Sequence, residues 1–122
     1  MLKTILLVDD SITTRVAHRV AITRNTKYHV VCASNGQEAL EKTASHHPDL
    51  IMMDVAMPGM TGLEVCRELR KNPRTKGLPI VLVTFRHEEQ SIKDGYSSGC
   101  SDYLMKPVPE RELIRVLDRY LG

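Results

Sequence analysis

Apolar residues along this chain fall into two patterns, short uninterrupted runs and longer stretches of helical period, and the two alternate from end to end. The short runs lie at about Thr4 to Val8, His29 to Ala33, Leu50 to Met53, Ile80 to Val83 and Asp102 to Met105. Runs of that kind suit strands buried on both faces, and their alternation with helical segments predicts βα units and a parallel sheet covered on both sides. In the gaps, Ile12, Val16 and Val20 recur at every fourth position. Thr61 and Glu64 form a capping box ahead of Leu63, Cys66 and Leu69, and Asn72-Pro73 closes that helix. The last helix follows Pro109 and carries Leu113, Val116, Leu117, Tyr120 and Leu121 on one stripe. Glu88 to Gly99 is the weakest helical segment, because Gly95, Ser97 and Ser98 are poor helix formers, and it is the candidate for a mobile element.

The runs also end in a telling way. The first meets Asp9 and Asp10, the third Asp54, the fourth Thr84 and the fifth Lys106. Ligands of an open parallel sheet bind outside the carboxyl ends of its strands, so three acids, one hydroxyl and one amine are predicted to share a cleft. Such carboxylates repel one another unless a cation sits among them. Oxygen donors without His or Cys favour Mg²⁺, with Mn²⁺ as a possible substitute. A metal there makes a carboxylate a usable nucleophile toward a phosphoryl group, with Lys106 and Thr84 completing the cradle and an aspartyl phosphate as the product.

Composition narrows the alternatives. The 122 residues fit one compact domain over 1–122, and no linker or repeat divides it, so a stand-alone domain is expected. Seventeen Lys and Arg against fifteen Asp and Glu leave a net charge of +2, too balanced for direct nucleic-acid binding by charge. No run reaches membrane-spanning length, and the opening MLKTILLVDD meets acids where a signal peptide needs more apolar residues. Cys32, Cys66 and Cys100 are odd in number and lack paired ligand spacing, which reads as small core residues in a reducing cytoplasm. Arg111, Arg115 and Arg119 share one helical face, and Arg67, Arg70, Lys71, Arg74 and Lys76 form a second basic group; both read as solvated surfaces. The histidines, His18, His29, His46, His47 and His87, have neither metal-ligand spacing nor a four-helix setting.

The segments VDDS, DLIMMDVAMPGMTG around Asp54, PIVLVT before Phe85 and SDYLMKP before Val108 together resemble the receiver domain of bacterial response regulators, the CheY-like superfamily, over essentially the whole chain. The resemblance implies a doubly wound, flavodoxin-like α/β fold with strand order 2-1-3-4-5. It implies that Asp54 accepts phosphate from a histidine kinase or histidine phosphotransfer protein, that Asp10 binds Mg²⁺ directly and Asp9 mainly through water, and that the backbone carbonyl of Ala56 is a further ligand. Lys106 would contact the phosphoryl group, and its bond to Pro107 would be cis. Thr84 and Tyr103 would form the switch, read by an output protein on the face built by the fourth helix, fifth strand and fifth helix.

Departures from the family pattern single out three residues. Phe85 stands where the family usually has a small residue, and a ring there is expected to cover the phosphoryl site and slow access by water, phosphatases or small donors. Ala56 and Arg86 occupy positions that tune the lifetime of the phosphorylated form: Ala56 offers no polar atom to hold an attacking water, whereas Arg86 is long enough to reach the phosphate or a nearby acid. Rival readings fare less well. A phosphatase of the haloacid dehalogenase type resembles Asp-x-Asp after its first strand, where this chain has adjacent Asp9-Asp10. A flavin carrier needs an uncharged phosphate loop there. A receiver-fold scaffold that is never phosphorylated is usually missing an acid or the Lys, and this chain retains all of them. The expected role is therefore a signalling domain, not an enzyme, that assists its own phosphotransfer and dephosphorylation.

Overall fold

The computed structural model describes residues 2–85 and 89–122, with Glu89 as backbone only. Five strands, β1 (Thr4–Val8), β2 (His29–Ala33), β3 (Leu50–Asp54), β4 (Ile80–Thr84) and β5 (Asp102–Met105), alternate with α1 (Ile12–Asn25), α2 (Gly36–His46), α3 (Gly62–Lys71), α4 (Glu89–Ser97) and α5 (Glu110–Leu121). All pairings are parallel in the order β2-β1-β3-β4-β5, the doubly wound arrangement expected.

The two faces of the sheet build two cores. Ile5, Leu7, Leu50, Met52, Val81 and Val83 point to one side, beneath Ile22 of α1 and Leu113, Val116 and Leu117 of α5. Leu6, Val8, Ile51, Met53, Ile80 and Leu82 point to the other, beneath Ala39 of α2 and Val65, Cys66 and Leu69 of α3. This alternation along strands that are apolar on both sides is why the strand sequences show no polar interruptions.

Local chemistry sets the helix starts. The Thr61 hydroxyl accepts from the Glu64 amide at 3.2 Å and the Glu64 carboxylate accepts from the Thr61 amide, so the predicted capping box is formed. Helix α2 begins at Asn35, whose side chain accepts from the Glu38 amide at 2.8 Å. Helix α1 shows the predicted period, and the recurring apolar residues face outward. Ile12, Val16 and Val20 are 68%, 52% and 48% exposed, and the buried side is His18, Ala21 and Ile22. Steps of four residues drift around a helix of 3.6 residues per turn, so an apolar series at that spacing marks the helix without marking its inner face.

Arg70 is less solvated than its sequence pattern suggests, whereas Arg119 stays exposed as expected while pairing with an acid. Arg70 is half-buried and donates to the carbonyls of Gly99 (2.7 Å), Leu78 (2.6 Å) and Lys76 (3.1 Å), clamping α3 to the segments that precede β4 and β5. Arg119 donates to Asp102 Oδ2 at 2.6 Å, which ties α5 to the start of β5.

Gly62 opens α3 directly against the end of β3. A Cβ there would drive into the Asp54 carbonyl oxygen and come within 3.0 Å of Val55 Cα, both backbone, whereas a Cβ on Gly77 would meet nothing within 4 Å. Gly62→Ala is expected to lower stability by about 1–3 kcal/mol in urea titrations, and Gly77→Ala to stay within roughly 0.5 kcal/mol of wild type. Equal losses for the two would show that backbone crowding at Asp54 is not the cause.

Candidate functional site

Strand register brings the predicted residues together. Val8 pairs with Met53, so Asp9 and Asp54 each stand one residue past that rung. Asp54 pairs with Val83 and Thr84 with Met105, which sets Thr84 and Lys106 next along the same edge. One ligand atom from each of Asp9, Asp10 and Asp54 lies within 4.8 Å of the others. Lys106 Nζ reaches Asp9 Oδ2 at 2.9 Å and Asp54 Oδ1 at 3.4 Å, with all three side chains at most 8% exposed. Asp9 is held further by its backbone: its Oδ1 accepts from the Ser11 amide at 2.9 Å and its carbonyl from Arg15 Nη1 at 2.6 Å. Asp10 is exposed and forms the open side of the group.

Three carboxylates and one ammonium leave two negative charges when all are ionised, which one divalent cation would balance. Octahedral Mg²⁺ at about 2.1 Å from each oxygen needs ligand atoms no more than roughly 4.2 Å apart, close to the spacing found, and the donors are all hard oxygens. The residues therefore fit that ion. The electrostatics of the cluster show at Asp54, whose carboxyl is raised from 3.8 to about 6, chiefly by burial, with Lys106 opposing the shift and Asp9 and Asp10 adding to it.

The other predicted residues fall around this cluster. Thr84 is 2% exposed, and its carbonyl accepts from the Lys106 amide at 2.7 Å. The Lys106–Pro107 bond is cis. Phe85 is 70% exposed, with its ring centroid 5.4 Å from Lys106 Nζ. Ala56 lies exposed in the loop after β3. Tyr103 is half-buried and packs against the apolar core under α3, its ring 6.5 Å from that of Tyr96. Arg86 and His87 lie outside the described residues, as does Glu88 at the start of the weak helical segment.

Several features of the site escaped the sequence. Val20, the last residue of the exposed series Ile12, Val16 and Val20, lines a groove of about 660 Å³ together with Ala17, His18, Phe85, Pro107 and Val108, beside Lys106. Burial lowers the His18 pKa, with Asp9 opposing and Lys106 adding to the shift. Gly95, read only as a weak helix former, sits where a Cβ would lie 2.7 Å from the Tyr103 ring. Its signal was a glycine inside a helical period, which marks a close approach as readily as a weak helix. Cys66 and Cys100 are buried, and burial raises both thiols, Cys100 to about 12, in keeping with core residues. Among the described residues, no helix is long and apolar enough to cross a membrane.

Residues 5–118 match the response regulator receiver domain family. The protein PilH of Pseudomonas aeruginosa is 33% identical over 118 residues, covering 97% of this chain and 97% of PilH. The transcriptional regulatory protein AfsQ1 of Streptomyces coelicolor is 39% identical over 109 residues, which is 89% of this chain and 47% of AfsQ1, so the chain spans about half of that relative. Among solved structures, the chemotaxis response regulator CheY4 of Vibrio cholerae matches with a TM-score of 0.91 at 32% identity, covering 99% of this chain and all of that one.

A carboxyl whose folded pKa lies above its unfolded value weakens the fold once it ionises. For Asp54 the cost grows as pH rises from about 4 to about 6 and is constant above that. Without metal, Asp54→Asn is therefore expected to stabilise the protein by about 1–3 kcal/mol at pH 7, a gain that vanishes below about pH 4. Urea unfolding at the two pH values measures this, and an equal gain at both would rule out charge burial as its source.

Proposed function

Because this chain belongs to the response regulator receiver domain family, we propose that it is the phosphoacceptor switch of a two-component or phosphorelay system, with Asp54 as the acceptor. A carboxylate oxygen of Asp54 attacks the phosphorus of a phosphohistidine carried by a histidine kinase or phosphotransfer protein. The P–N bond breaks, its electron pair returns to the imidazole, and an aspartyl phosphate forms. Lys106, already within 3.4 Å of Asp54, supplies an ammonium for a phosphoryl oxygen, and Thr84 supplies a hydroxyl from the next strand end. Asp9, Asp10, Asp54 and the carbonyl of Ala56 would hold Mg²⁺, which neutralises charge on the transferring oxygens. The observation that carries this reading is the buried ammonium lying between two carboxylates of a three-acid cluster at the carboxyl edge of the sheet.

Output is proposed to leave through α4, β5 and α5. The added charge draws Thr84 toward the phosphate, Tyr103 turns into the space, and an output protein reads the change. Tyr96 and Met105, each 48% exposed, give that face apolar contact area. The donor is proposed to cover α1, which lies beside α5 on the same side of the sheet. Ile12, Val16 and Val20 stand exposed along α1, and Val20 also lines the groove that reaches Lys106, so a helix packed on α1 would bring its histidine toward the cluster.

Incubation with acetyl phosphate and Mg²⁺ is expected to add one phosphoryl group by intact mass, and Asp54→Asn or removal of the metal to abolish it. Unlabelled wild-type protein would favour the scaffold reading, in which partners bind without phosphorylation. Val16→Asp is expected to leave acetyl phosphate labelling unchanged and to slow transfer from a phosphohistidine protein roughly tenfold, about 1.4 kcal/mol. Equal slowing with both donors would mean that α1 is not the docking surface.

A further inference from the structure

We propose that Phe85 is a positioning residue for phosphoryl transfer, its ring holding the Lys106 ammonium at the carboxylate pair; the inference rests on Asp54 being the phosphoacceptor. The ammonium has three donor directions on a flexible four-carbon stem. Asp9 Oδ2 takes one at 2.9 Å and Asp54 Oδ1 lies along another at 3.4 Å. The Phe85 ring lies 5.4 Å from the nitrogen, within the range of attraction between a cation and an aromatic face.

Burial does not explain where this ring sits. Phe85 is 70% exposed, the most exposed of the large apolar side chains described, while the nitrogen it faces belongs to a side chain only 5% exposed. The polar partners of Lys106 are also the acids that a metal would engage, so during transfer the ammonium would keep fewer contacts of its own. A ring competes with neither metal nor phosphate for those oxygens. It fixes the ammonium from the solvent side and leaves its donors free for the phosphoryl group.

Phe85→Ala removes the ring and also opens a path to the site, so the informative changes are Phe85→Leu, which keeps apolar bulk without a π face, and Phe85→Tyr, which keeps the face. With acetyl phosphate and saturating Mg²⁺, Phe85→Leu is expected to label about three- to tenfold more slowly than wild type and Phe85→Tyr to stay within roughly twofold of it. In a Lys106→Met background, the change to Leu is expected to have no further effect. Proton NMR should show the ring-shifted Hε signals of Lys106 in wild type and Phe85→Tyr, and their return to the ordinary position in Phe85→Leu. A Phe85→Leu protein that labels at the wild-type rate, or one that loses as much without Lys106, overturns the role of Phe85 alone. A wild-type protein that takes no phosphate overturns the phosphoacceptor reading and this inference with it.

Discussion

Like charges gathered at one edge of a sheet are the constraint on which the rest of this structure turns. Asp9 comes from β1, Asp54 from β3 and Lys106 from the end of β5, so the ammonium joins strands separated by β4. The arrangement tolerates no slip in register. Displacing β3 by one residue would turn the Asp54 side chain to the opposite face and bring Met53 into its place. The long apolar strands therefore do two things at once: they build the two cores, and the same burial fixes their register strongly enough to hold mutually repelling acids together. Burial of Asp54 in that company raises its carboxyl to about 6, so the site weakens the fold at neutral pH. The cost is tolerated because Lys106, and a divalent cation when bound, offset it.

Much of this was legible in the sequence where one physical cause dominated. Strands buried on both faces show as unbroken apolar runs, and all five fall within one residue of their expected bounds. The capping box at Thr61 and the stripe on α5 were equally plain, because each is a local pattern with a local reason. What was not legible depended on facing. The series Ile12, Val16 and Val20 signals a helix, but which side meets the sheet is decided by how α1 leaves β1, and the inner side proved to be His18, Ala21 and Ile22. Arg70 was hidden for a similar reason. Its charge marked it as surface, and only the fold brings five acceptors around its guanidinium. The candidate site was readable because strand ends are the one place where sequence position and spatial position coincide in a parallel sheet.

Gly95 shows how local stability and site geometry are traded in the weakest part of the chain. Inside a helix, glycine costs about 1 kcal/mol relative to alanine, and α4 already contains Ser91, Ser97 and the half-exposed Tyr96. Helix α4 forms nonetheless, and the glycine falls where the Tyr103 ring lies nearer to the helix backbone than any Cβ would allow. An alanine would strengthen the helix in isolation and displace the ring from β5. The ring in turn packs on Leu82 of β4, two residues before Thr84. Helix α4 thus packs at Gly95 against Tyr103 of β5 and Leu82 of β4, and the residue that weakens the helix is the one that admits the tyrosine. A displacement of the Tyr103 ring would therefore be felt directly by α4, because no Cβ stands between that ring and the helix backbone.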